Sequence, residues 1–181
     1  MAEENKTETA AEPSVVEGAT QEAAQQQFNV QRVYIKDLSF EAPLGIEAFK
    51  KQWQPKVNQE LNTKTNKIDD TNYEVVLTLT ITVKIGEETA FLIEVQQAGL
   101  FLIAGLENQA LAQVLNTTCP NILFPYVREA IDNIVTKGSF PALMLPPINF
   151  DALFVQAVQQ ARQQAEAQQG EGQADAEPTV N

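Results

Sequence analysis

In "YEVVLTLTITVKI", residues 73–85, the odd positions Tyr73, Val75, Leu77, Leu79, Ile81, Val83 and Ile85 are all apolar, while Glu74, Thr78, Thr80, Thr82 and Lys84 stand on the even ones. Side chains alternate sides along a strand, so the pattern predicts a long antiparallel strand with one buried face. "GEE" at 86–88 turns the chain into "ETAFLIEVQQAG", 88–99, and the pair predicts a hairpin. In the second strand Phe91, Ile93 and Val95 face one way, and Leu92, Glu94 and Gln96 the other. The first set belongs to a core. The second sets a leucine beside a glutamate on a face with nothing of its own to cover it.

Upstream, "FNVQRVYIKDLSFEAP" alternates as a strand and stops at Ala42-Pro43, because proline cannot donate to a ladder. "LGIEAFKKQWQP" sets Phe49 and Trp53 four apart, which predicts a helical turn or a loop pinned to the core by two aromatics. "KVNQEL" predicts a short strand, and "NTKTNKIDDTN" has turn chemistry. From Leu106 the period becomes helical. Leu106, Ala110, Leu111, Val114 and Leu115 share one face, as do Leu123, Val127, Ala130, Ile131 and Ile134 in a second helix ending on a glycine cap at Gly138. "FPALMLPPIN" is a proline-broken connector, after which Asn149 can cap a last helix with Phe150, Leu153, Phe154, Ala157, Val158 and Ala161 as its apolar stripe. Strands first and helices later predict an α+β domain, a four-stranded antiparallel sheet with helices packed on one face.

The ends differ from the middle. Residues 1–27 hold six acidic residues against one lysine, and 163–181 hold four and no base, out of a net charge of −12. Both are rich in Ala, Gln and Glu, a composition that buries too little apolar surface to offset ordering. The expectation is an ordered domain over 28–165 between disordered acidic tails at 1–27 and 166–181. The charge disfavours nucleic acid and anionic lipid and favours a basic protein surface as partner.

The chain has no histidine and a single cysteine, Cys119, which excludes a Ser-His-Asp triad, a histidine metal site and an internal disulfide. Neither GxGxxG nor GxxxxGK[ST] occurs, and the carboxylate pairs Asp69-Asp70 and Glu87-Glu88 fall in predicted turns where they are solvated. No enzyme, cofactor or metal is expected. The N-terminus lacks a signal peptide's apolar core, and "AGLFLIAGL" at 98–106 is far shorter than the ~20 residues that cross a bilayer, so a cytoplasmic protein without membrane insertion is expected. What remains is a protein that works by binding.

The segments "VYIKDLSFEAP", "WQP", "YEVVLTLTITV", "GEETAFLIEVQQAGLF", "IAGLE", "CPNILFPYVREAI" and "FPALMLPPINFDALF", in that order over roughly 28–155, resemble the SecB family of protein-export chaperones. The resemblance implies an ATP-independent holdase, a homotetramer built as a dimer of dimers, that captures unfolded secretory precursors and delivers them to the SecA motor. It implies a SecA-binding surface at Asp37, Glu41, Leu92 and Glu94, which receives SecA's zinc-holding C-terminal module, and a client groove at Trp53, Phe91 and Phe154. Phe49, Leu143 and Met144 extend that groove by their chemistry, and Ile93, Val95 and Gln97 are the expected contact between protomers. The alternative is a SecB-like adaptor chaperone with a dedicated partner.

Overall fold

The computed structural model describes residues 26–171, so most of the expected tails at 1–27 and 166–181 lies outside the described residues. Strands β1 (Gln27–Glu41), β2 (Pro55–Lys67), β3 (Asn72–Ile85) and β4 (Glu88–Ala104) precede helices α1 (Asn108–Asn116), α2 (Thr118–Lys137) and α3 (Phe150–Glu171). The described elements run from Gln27 to Glu171. The strands form one antiparallel sheet in the order β1-β4-β3-β2, with the β3–β4 hairpin at its centre.

The odd residues of β3 and β4 form the core face, and Val75, Leu77, Leu79, Ile81, Val83, Phe91, Ile93, Val95 and Phe101 are fully buried there. α2 lies across this face and buries Cys119, Leu123, Val127, Ala130, Ile131 and Val135 against it. Gly99 is needed where the two layers meet, since a Cβ there would stand 2.5 Å from the Phe101 ring and 3.0 Å from Leu123.

Three local features depart from the sequence pattern. β2 continues to Lys67, through residues expected to form a turn, because Leu61 to Lys67 pair one for one with Leu79 to Tyr73. Ladder bonds to a long central strand outweigh the weak local preference of Asn and Lys. The turn itself is confined to the residues after Lys67, where Asp69 accepts hydrogen bonds from the Thr71 and Asn72 amides at 2.9 and 2.8 Å.

β1 is interrupted twice, with register shifts between Val30 and Arg32 and between Ile35 and Asp37. Each bulge resets the side-chain parity. As a result Val30, Val33, Ile35, Leu38 and Phe40, which no strict alternation would align, all pair with core-facing residues of β4, opposite Phe101, Gly99, Gln97, Val95 and Ile93.

The end of α2 differs from a simple glycine cap. Gly138 has φ −74, and Ser139 takes the left-handed conformation at φ 63. The amides of Ser139 and Phe140 donate to the carbonyls of Thr136 and Val135 at 3.0 and 3.1 Å, the paired bonds of a Schellman motif. Gly138 is small for another reason, because a Cβ there would lie 2.6 Å from the Phe40 ring. The motif turns Phe140 back onto the sheet. The last helix begins as the sequence suggests, with Asn149 Oδ1 accepting from the Ala152 amide at 3.0 Å. Of its apolar stripe only Phe150 is buried; Phe154 and Val158 are half-buried, and Leu153, Ala157 and Ala161 are exposed.

Candidate functional site

Two surfaces stand out. The first is the outer face of the sheet. Cross-strand pairing sets Glu41 opposite Leu92, Ser39 opposite Glu94 and Asp37 opposite Gln96, while β3 places Thr82, Thr80 and Thr78 on the far side of the same three β4 residues. Directly opposed side chains stand about 5 Å apart and the next pair on the same face about 7 Å away, so Asp37, Glu41, Leu92 and Glu94 form one patch.

Leu92 and Glu94 are half-buried among their neighbours, and Asp37 and Glu41 are exposed. Glu94 accepts hydrogen bonds from Gln96 Nε2 at 3.0 Å and from Thr80 Oγ1 at 3.3 Å, which orients its carboxylate across the face. No salt bridge reaches Asp37, Glu41 or Glu94 among the described residues.

Further along this face the charge is satisfied internally. Glu74 accepts from Lys36 Nζ at 2.8 Å on each oxygen, from Asn66 Nδ2 at 2.7 Å and from the Tyr34 hydroxyl. The ammonium, the phenol and the amide together hold its carboxyl down to about 2. This cluster links β1, β2 and β3 across the outer face. The sequence reading missed it, because parity counted along β1 without its bulges puts Lys36 on the inner side.

The second surface is aromatic. Phe140 sits at the centre of a cluster, with ring centroids 4.7 Å from Phe91, 5.1 Å from Phe49, 5.8 Å from Trp53 and 6.4 Å from Phe40. Phe49 comes from the 3-10 helix Gly45–Lys50 and is 55% exposed, and Trp53, in the loop before β2, is half-buried. Phe91 is fully buried beneath Phe140, so it supports this surface without presenting area of its own. Phe140 was not singled out in the sequence; its only signal is its place just after the α2 cap.

The connector beyond Phe140 is held by Asp132, whose Oδ1 accepts from the amides of Leu143 and Met144 at 3.0 and 3.2 Å. That grip accompanies a left-handed backbone at Met144, φ 51, and leaves its side chain 77% exposed while Leu143 is half-buried. Phe154 lies elsewhere, in a depression shared by Leu61 and Thr63 of β2, Asn116 of α1, and Phe150, Leu153 and Ala157 of α3. Leu61 is six residues along β2 from Pro55, about 20 Å from the strand end next to Trp53.

Ile93 and Val95, expected between protomers, are wholly covered within the single chain, and Gln97 is 3% exposed. The cover comes from the chain's own helix layer, with α2 packed across β4. Among the described residues there is no cluster of three or more potential metal-ligating side chains and no helix long and apolar enough to cross a membrane.

An α+β layer with a hydrogen-bonded acidic outer face and an open aromatic cluster defines a protein-binding module of the chaperone class. Residues 21–161 match the family model described as "Preprotein translocase subunit SecB". A protein-export protein SecB from Cellvibrio japonicus is 56% identical over 86% of this chain and 93% of its own length. One from Hahella chejuensis is 58% identical over 78% of this chain and 91% of its own. The chain belongs to the SecB family of protein-export chaperones. In the fold, the chain is similar to a SecB-like chaperone of Mycobacterium tuberculosis, solved in complex with a ChAD peptide from the HigA1 antitoxin. The TM-score is 0.55 at 14% identity, covering 67% of this chain and 91% of that one.

Proposed function

We propose that this chain is an ATP-independent holdase that keeps unfolded secretory precursors competent for translocation and passes them to SecA. The observation that carries the SecA reading is the outer-face patch, in which Asp37, Glu41 and Glu94 share a face with Leu92 and have no cation paired to them among the described residues. A small basic module with an apolar contact at its centre complements it in both charge and shape. SecA's zinc-holding C-terminal module is such a partner, and the zinc stays with it.

Clients bind at the aromatic surface and at the separate depression that holds Phe154. Phe49, Trp53, Leu143 and Met144 at the first, and Phe154 at the second, offer apolar area that the chain itself leaves partly open. Each contact contributes at most about 1.5–3 kcal/mol when fully buried, but several along one unfolded chain add through effective concentration. Folded proteins hide the segments that would make them.

The assembly is a tetramer, a dimer of dimers. Exposed Phe28, Tyr34 and Ile35 on edge strand β1 and Tyr126 on α2 support it, as apolar area that a second copy would cover.

The test is titration of purified SecA into the native protein and into its Glu94→Lys variant, with native mass spectrometry reporting assembly and capture of one precursor, unfolded and folded. The variant is expected to bind SecA more weakly, with less dependence on salt, and to capture the unfolded precursor as before. Unchanged SecA binding would overturn the docking assignment. Capture of the folded precursor alone, or of neither form, would favour an adaptor with a dedicated partner.

A further inference from the structure

The bulge in β1 has a precise electrostatic setting. Ile35 pairs with Gln97 and Asp37 with Gln96, so Lys36 is the extra residue. A bulge sets two successive residues against one and breaks the strict alternation of sides. Lys36 accordingly reaches Glu74, an outer-face residue of β3, and Asp37 lies on that same face opposite Gln96. A cation and a member of the acidic patch are therefore neighbours in the chain and on the surface.

They do not neutralise each other. Both oxygens of Glu74 hold Lys36 Nζ at 2.8 Å, while Asn66 and Tyr34 fix the carboxylate from two other sides. Lys36 remains 41% exposed along its side chain, so its stem is free to swing if Glu74 releases it. Its nearest carboxylate along β1 is then Asp37.

We propose that Glu74 is a positioning residue for partner docking: by engaging Lys36 it keeps that charge off Asp37 and leaves the patch of Asp37, Glu41 and Glu94 negative. The inference rests on the reading of that patch as a SecA dock. Glu74 touches no partner itself. It determines the sign of the surface beside it.

The experiment uses the full chain and purified SecA, with dissociation constants measured by calorimetry at low salt. Glu74→Gln is expected to weaken binding about fivefold, since the freed ammonium both screens Asp37 and repels a basic module. Lys36→Met alone is expected to bind as tightly as the native chain or about twofold tighter, because it removes the cation and leaves Glu74 negative. The double variant Glu74→Gln/Lys36→Met is expected to regain native affinity. A merely structural role for Glu74 would leave the double variant as weak as Glu74→Gln, and that result overturns the proposal. Native affinity in Glu74→Gln, or weaker binding in Lys36→Met, also overturns it. Glu94→Lys, measured beside them, separates the two levels: loss of its effect sinks the dock itself, whereas loss of the Glu74 effect alone sinks only the positioning role.

Discussion

Replacing Phe140 by alanine tests whether the aromatic cluster holds the 3-10 segment and the Trp53 loop to the sheet. Phe140 is 4% exposed and packs on four aromatic rings, from Phe91 at 4.7 Å to Phe40 at 6.4 Å. Truncating a buried phenylalanine costs about 3–5 kcal/mol from lost transfer energy and the cavity left behind. The site can collapse in part, because Phe49 and Trp53 are themselves partly exposed and not locked into the core, so the expected loss is near the lower bound, about 3 kcal/mol. Domains of this kind are stable by about 5–15 kcal/mol, so the variant folds but unfolds at much lower urea. Trp53 is the chain's single tryptophan, and its fluorescence reports the cluster directly. The native emission of the variant is expected to shift to the red as Trp53 loses cover. Phe49→Ala is the contrast. With its ring already 55% exposed, it should cost no more than about 1 kcal/mol in stability yet weaken client capture. A Phe140→Ala variant that loses under about 1 kcal/mol and keeps its Trp53 emission would refute this account.

Three further outcomes are expected. At the end of α2, Ser139→Gly relieves a left-handed backbone and should stabilise by up to about 1 kcal/mol, whereas Gly138→Ala drives a Cβ into Phe40 and should destabilise by about 1–3 kcal/mol; urea midpoints of equal sign would contradict the cap geometry. Glu74 titrates at about 2 in the fold against an ordinary value of 4.5, so its contribution is complete above pH 4.5 and is withdrawn as the pH falls toward 2. The stability gap between the native chain and Glu74→Gln should therefore be constant above that window and close within it, and a gap undiminished at pH 2 would contradict the assignment. Burial pushes the Cys119 thiol up to about 12, so a thiol-specific disulfide reagent should react with it only as fast as the chain unfolds, and rapid labelling in native buffer would contradict its packing.

That Asp37 shares a face with Glu41, and Leu92 with Glu94, was legible in the sequence because no bulge separates either pair; their choice as one patch rests on the resemblance. Period-two counting holds between them, and the hairpin fixes which face is buried. The same counting fails upstream of Asp37, where two bulges shift the parity of β1 and hide both the alignment of Val30 with Ile35 and the Lys36–Glu74 pair. The second half of β2 is not legible in the sequence because its polar residues resemble a turn until a partner strand is present to pair them. Phe140 was invisible for a different reason, as its position follows from a backbone cap at Ser139 and not from any repeat of apolar residues. The groove residues come from resemblance and chemistry, which do not reveal burial, and so Phe91 stands beside Trp53 and Phe154 in that set although it alone of the three is fully buried.

The strand order β1-β4-β3-β2 also bears on how the molecule assembles. β2, β3 and β4 follow one another through short turns and can zip as neighbours, while β1 must find β4 across a far longer loop, Glu41 meeting Leu92 and Gln27 meeting Ala104. Closing that loop carries the larger entropic penalty and slows the step. During synthesis β1 leaves the ribosome first yet has no partner until β4 has followed it out. Two of the patch carboxylates, Asp37 and Glu41, ride on that waiting strand, so a nascent copy acquires its acidic face only once its sheet is finished.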